Sequence, residues 1–189
     1  MGEHAGPGGQ RAYEVATPPG MPLLWLWAPL LLAMAIQPLV RLINGEPALR
    51  QTPADWLPFV LLPLTGLILS LLYRRRRIVL GDGQLDITST FYRKRVAISA
   101  MRLERARIAD LAEHTGLKPG RKTNGYQLPG FRSGHFRMRD GGKAFCLVTD
   151  NNRVLVLPLH DGSTLLITPE HPRRLLDELQ TLAASAPRT

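Results

Sequence analysis

The sequence predicts a two-helix transmembrane hairpin followed by a mainly-β barrel of about seven antiparallel strands, capped by a C-terminal α-helix. Three observations carry this. Two apolar stretches precede four consecutive arginines, Arg74, Arg75, Arg76 and Arg77. From Ile78 onward, short β-forming runs are separated by Gly- and Asp-rich turns. A stripe of Leu175, Leu176, Leu179 and Leu182 then recurs at helical spacing.

Residues 1–20 are rich in Gly, Pro and Ala and carry Glu3, Arg11 and Glu14 as their only Asp, Glu, Lys or Arg. This composition predicts a disordered tail. The first span is expected over residues 21–40, with Trp25 and Trp27 as interfacial anchors and Arg41 closing it. Proline is tolerated inside a membrane helix, so Pro29 is expected to kink this span rather than end it. Arg41 to Asp55 is too short for a domain and reads as the connection of a helical hairpin.

The second span is expected over residues 56–73. Its eighteen uncharged residues, Trp56 to Tyr73, would reach about 27 Å as a helix, close to the thickness of the hydrocarbon core. Gly66 and Ser70 form a small-xxx-small pair that lets helices approach closely; the partner is the first span, or alternatively a second copy in a homo-oligomer. Arg74 to Arg77 form a basic stop. Under the positive-inside rule they hold that side, and with it both termini, in the cytoplasm.

Residues 78–189 then form the cytosolic domain. Ile78 to Leu80, Gly81-Asp82-Gly83 and Gln84 to Thr90 read as a hairpin. Phe91 to Lys94 are a turn or strand end, and Arg95 to Ser99 a strand. Met101 to Leu111 continue the pattern with a slip between Leu103 and Ala106, which a bulge would absorb. Glu113 to Ser133 hold four glycines and two prolines without periodicity, which reads as a long, binding-type loop. Four strands at hairpin spacing follow, and Thr168 is placed to cap a helix opening at Pro169.

Charge is concentrated in this last part. From Arg74 onward lie 21 of the 24 Lys and Arg but 11 of the 15 Asp and Glu, an excess of ten positive charges. Such a domain, tethered to a bilayer, favours anionic surfaces. Three groups stand out: Arg74 to Arg77 as topology signal and anionic-surface contact; Arg93, Lys94 and Arg95; and Lys118, Arg121 and Lys122 in the long loop. The last two groups are the candidate ligand or lipid contacts. Each has an alternative reading as solvated charge. Nucleic acid is disfavoured because only Tyr92 and Tyr126 stand near them as stacking platforms.

Catalytic signatures are missing from the sequence. His4, His114, His135, His160 and His171 do not pair with Cys146 or each other at metal-ligand spacing, so no metal or cofactor is expected. Convergence of His114, His135 and Asp110 in space stays open. Cys146 lies in an apolar run and reads as a buried, inert thiol. Asp82, Asp140 and Asp161 sit beside glycine and read as turn formers. The expectation is a protein without enzymatic activity.

Leu85 to Thr88, Arg95 to Ile98, Gly130 to Arg137, Cys146 to Thr149 and Leu165 to Pro169 together resemble the membrane-anchored members of the bacterial pleckstrin-homology (PH)-like family. The resemblance covers nearly all of residues 74–189. It implies two roughly orthogonal sheets with a capping helix, used for binding rather than catalysis. Eukaryotic PH domains that bind phosphoinositides place Lys and Arg around the first hairpin loop, whereas Gly81-Asp82-Gly83 is short and acidic, so a site of that kind is not expected. The resemblance implies a multi-pass protein of the bacterial inner membrane with both termini cytoplasmic. Its contacts would be membrane lipids through the two spans and an unidentified protein partner, for which the domain is a scaffold. The alternative is sensing of an anionic lipid or small anionic ligand by the 118–122 loop.

Overall fold

The computed structural model describes residues 10–18, 22–47 and 53–185. Residues 1–9 of the expected 1–20 tail, with His4, residues 19–21, the middle of the inter-helix connection and the last four residues lie outside them. The chain divides into a helical unit, Met21–Arg74, and a sheet unit formed by Met1–Gly20 together with Arg75–Thr189.

The helical unit consists of α1 (Pro22–Ile43) and α2 (Pro53–Arg74), each 22 residues and each long and apolar enough to cross a bilayer. Both exceed the expected spans of 21–40 and 56–73, because polar residues at their ends stay helical by pairing. Arg41, in the last turn of α1, binds Asp55 in the first turn of α2 at 2.8 Å, each complementing its helix dipole. α1 runs unbroken through Pro29 and Pro38. Gly66 and Ser70 face α1: a Cβ on Gly66 would lie 2.9 Å from the Trp27 ring, and Trp27 Nε1 donates to Ser70 Oγ at 3.1 Å. The small-residue pair is therefore used within the hairpin.

The sheet unit opens with β1 (Arg11–Tyr13). This corrects the disordered-tail expectation for the described part of residues 1–20. Arg11 to Tyr13 pair antiparallel with Leu80 to Ile78 of β2 (Arg76–Gly81), and Ala16 N–H donates to Thr168 O at 3.0 Å. Low hydrophobicity did not prevent order here, because an exposed sheet edge supplies the backbone partners that the segment lacks on its own. β2 starts at Arg76, so the domain begins two residues before the expected 78.

β2 and β3 (Gln84–Ser89) form the expected hairpin over Asp82-Gly83, whose φ values of 52° and 68° suit the right-handed strand twist. β4 (Tyr92–Ala97) follows. These strands make a four-stranded sheet in the order β1-β2-β3-β4. Ile78, Leu80, Leu85, Ile87 and Val96 are buried on one face of it. After 3₁₀ turns at Ile98–Ala100 and Leu103–Arg105 comes the short β5 (Arg107–Ala109). The 3₁₀ turn at 103–105, not a bulge, produces the phase slip in the sequence.

The expected loop at 113–133 is largely a hairpin of β6 (Pro119–Leu128) and β7 (Phe131–Met138). β6 is an edge strand with mostly exposed residues, and its register shifts between Pro119/Arg121 and Lys122/Asn124. An edge strand with two irregularities has no alternation for sequence to display. β8 (Lys143–Val148), β9 (Val154–Pro158) and β10 (Thr164–Ile167) complete a six-stranded sheet ordered β5-β9-β10-β8-β7-β6. β10 inserts between β9 and β8 and runs parallel to β8, so not every pairing is antiparallel as expected.

Both faces of the central strands are buried. Phe136, Cys146, Val156 and Leu166 share one cluster, while the alternate residues Leu147, Leu155, Leu157, Leu165 and Ile167 are fully buried as well. Each such side chain contributes about 1.5–3 kcal/mol by leaving water. The two sheets remain open rather than closing into one hydrogen-bonded barrel.

Helix α3 (Pro172–Ser185) ends the described chain. It opens at Pro172, not Pro169: Thr168 still belongs to the sheet, its N–H donating to Leu147 O at 3.0 Å, and Pro169 bridges Val15. Leu175 and Leu179 are buried, and the helix packs on the 98–100 turn and β9.

Candidate functional site

Strand alternation builds a polar groove on the four-stranded sheet. With Ile78, Leu80, Leu85, Ile87 and Val96 buried, β2, β3 and β4 turn Arg77, Val79, Asp86, Thr88, Arg93 and Arg95 to the opposite face. Register arranges these in rows: Arg77–Thr88–Arg93, and Val79–Asp86–Arg95. They line a shallow groove of about 420 Å³ whose far end is formed by Gln10, Asp82 and Gln84.

Asp86 organises the charges. Arg93 donates through Nε to both its carboxylate oxygens and through Nη2 to Oδ2, and Arg95 Nε adds a further bond to Oδ2 at 3.1 Å. The Arg93 guanidinium holds the Asp86 carboxyl below its ordinary pKa against the opposing effect of burial, with Arg95 adding to the lowering. Arg77 forms no ion pair among the described residues. Three guanidinium groups thus share a face with Asp86 and, at its end, Asp82.

Lys94 does not join Arg93 and Arg95. Strand alternation sends it to the side that bears Val96, where it lines a second, smaller pocket with Leu159 and Asp161. Asp161 is held below its ordinary pKa chiefly by the Ser163 hydroxyl and N–H, with Lys94 and Lys143 adding to the effect. The ring of His135 lies 6.2 Å from Tyr92 and 5.2 Å from Phe145. Burial pushes its pKa down, and Lys94 pushes it further the same way. His114 meets the backbone of Asp110 within one turn, Nδ1 to O at 3.1 Å. These histidines are held by separate structural contacts.

The expected 118–122 loop is instead the entry to the edge strand. Lys118 follows a 3₁₀ turn at Thr115–Leu117 and accepts a backbone bond from Arg139 N–H at 3.2 Å. Arg121 and Lys122 are exposed on β6. Register sets Arg121 opposite Arg137, and Arg137 opposite Lys143. Sequence reasoning missed Arg137 and Lys143; their signal was the alternation of His135, Phe136, Arg137 and Met138, which puts Arg137 on the polar side. Like charges directly opposite weaken strand pairing, yet cations also protect an open edge from pairing with another chain.

The run Arg74 to Arg77 is divided in the same way. Arg74 ends α2 and Arg75 leads out of it, both exposed. Arg76 lies over the Phe131 ring, 5.8 Å from its centroid, and Arg77 faces the groove. Cys146 is fully buried, and burial pushes its thiol pKa far above the ordinary value. Among the described residues no cluster of His, Cys, Asp and Glu could hold a metal ion.

Residues 76–183 match a family model described as "Bacterial PH domain". No curated protein and no solved structure matches the chain.

Proposed function

The chain belongs to the bacterial PH-domain family, and from that premise we propose that it is a membrane-anchored, non-catalytic binding module. Its role is that of a protein-interaction or scaffold domain at the cytoplasmic face of a bacterial inner membrane. The two apolar helices and the exposed Arg74 and Arg75 at the end of α2 support the anchoring. The groove supports the binding role. Arg77, Arg93 and Arg95 project from a paired sheet rather than a loop, so their spacing is preset, and guanidinium forks suit carboxylates. The occupant that fits is an acidic segment of a partner protein. Because Asp86 already occupies Arg93 and Arg95, an incoming carboxylate exchanges with it at modest net gain, as suits a reversible contact. Tethering offsets this by raising the effective concentration of partners in the same membrane.

In-cell crosslinking of the full-length chain, followed by purification and mass spectrometry, tests the proposal. The controls lack residues 78–189 or carry Arg77→Glu, Arg93→Glu and Arg95→Glu. A stoichiometric protein lost in both controls supports it. Recovery of self-crosslinks or lipid alone overturns it.

A second reading, recognition of an anionic ligand by the 118–122 region, is supported by the Arg121–Arg137–Lys143 row, in which three cations stand opposite one another across the strands. It requires salt-sensitive binding to anionic vesicles that reversal of Lys118, Arg121 and Lys122 abolishes.

A further inference from the structure

Outside the two long helices, Phe91 and Leu182 are the large hydrophobic side chains exposed among the described residues, and Phe91 is the more so at 58%. A lone exposed aromatic is ordinary. The backbone that presents this one is not. Thr90 and Phe91 form the two-residue turn between β3 and β4, and Thr90 has φ 54°. Turns with positive φ at their first central residue normally place glycine there, and a β-branched residue is strained in that conformation.

Three contacts hold the strain. Thr90 N–H donates to Arg75 O at 2.9 Å. Its Oγ1 donates to Ser133 Oγ at 2.7 Å, and the Ser89 hydroxyl reaches the same oxygen at 2.7 Å. All three hydroxyl residues are buried, so the six-stranded sheet fixes the turn through Ser133. Persistent strain of this kind marks places where a particular presentation is required.

The location gives the reason. Arg75 follows directly on Arg74, the last residue of α2, so one hydrogen bond separates the turn from the residue that leaves the helix. Arg75, hydrogen-bonded to the turn, is exposed. We propose that the Thr90–Phe91 turn is a second, non-spanning membrane contact, in which Phe91 enters the headgroup–acyl boundary while Arg75 lies against anionic headgroups. It rests on the reading of α2 as a membrane span. Apolar burial and attraction to anionic lipid act together at such a contact, and the arginine part is screened by salt. The contact holds this end of the sheet against the leaflet and so restricts how the domain meets its partners.

Site-directed spin labelling of the full-length chain in lipid nanodiscs tests this. Cys146 is buried, so single labels can be introduced through Phe91→Cys, Asn152→Cys in the exposed turn after β8, and Leu64→Cys within α2. In nanodiscs containing anionic lipid, the label at 91 is expected to show oxygen-to-nickel accessibility several-fold above that at 152, falling when anionic lipid is omitted or salt is raised. A chain retaining Phe91, labelled through Thr88→Cys beside the turn, is expected to lose mobility in anionic nanodiscs, and Phe91→Ser in the same chain to restore it. If 91 is as water-accessible as 152 while 64 reports lipid, the contact is refuted and the span stands. If 64 also reports water, the span reading fails and the contact with it.

Discussion

Arg11 and Glu178, 167 residues apart, form an ion pair between the N-terminal strand and the C-terminal helix. Tyr13 donates its hydroxyl to the same carboxylate. The Arg11 side chain is 55% exposed, so its pair contributes at most about 1 kcal/mol. Tyr13 is half-buried and its bond is better shielded. Tyr13→Phe is therefore expected to destabilise the β1–β2 ladder by about 1 kcal/mol, and Arg11→Ala by less. Hydrogen exchange of the β2 amides in the full-length chain measures both. A larger loss of protection in Arg11→Ala would contradict this ranking.

Two titrations bracket the stability of the four-stranded sheet. Burial, reinforced by the Glu178 carboxylate, raises the Tyr13 pKa above its ordinary value, so its contribution is complete below about pH 10 and is lost as pH rises beyond. Arg93 and Arg95 lower the Asp86 pKa, so its contribution is present above about pH 4 and is lost as pH falls through the depressed value. Thermal unfolding of the full-length chain against pH should lose its alkaline limb in Tyr13→Phe, and its acid limb should shrink in Asp86→Asn. Unchanged profiles would show that neither group is linked to folding.

The same carboxylate limits the groove. Asp86→Asn releases Arg93 and Arg95, so the full-length chain in detergent should bind a poly-glutamate peptide several-fold more tightly, with steeper salt dependence. Equal affinity would remove Arg93 and Arg95 from the binding surface.

What the sequence could reveal follows from where each residue stands. Asp82-Gly83 was legible because the hairpin's dihedral demand is local, and the basic character of Arg93 and Arg95 because β4 follows at once. The Pro-at-first-position rule held for α3 but applied to Pro172 rather than Pro169, since Pro169 is occupied by a bridge to Val15 that no local pattern encodes. The position of β10 was hidden because a strand buried on both faces shows no alternation, leaving its neighbours undetermined. Arg93, Lys94 and Arg95 read as one cluster in the chain, yet a period of two places Lys94 on the other face. That signal was available. The Asp86 partnership needed the β3–β4 register as well.

At Gly134, β7 approaches its neighbours closely. At φ 103°, an added Cβ would lie 2.8 Å from Asn124 O, Gly125 Cα and the Tyr92 ring. Gly141 has φ 89° but open space around it. Gly141→Ala should therefore cost about 1 kcal/mol for its backbone alone, and Gly134→Ala about 2–4 kcal/mol because backbone atoms must also move. Denaturation midpoints of the full-length chain test this, and equal losses would place the constraint in the backbone rather than the close approach.

The basic edge strand allows folding and binding to be separated by sign. Arg121 stands opposite Arg137, which stands opposite Lys143, so the row weakens its own sheet. Arg121→Glu converts the first contact into an opposite-charge pair and should raise stability by about 0.2–1 kcal/mol. An edge guarded only against self-association is served equally well by glutamate, because a charge of either sign discourages strand pairing. An edge selected for anionic ligands is not, and the same variant should then lose adsorption to anionic vesicles while its melting temperature rises. Higher stability with unchanged adsorption assigns the row to edge protection and ends the second reading. Higher stability with lost adsorption means that the unfavourable pairing is retained for an external anion.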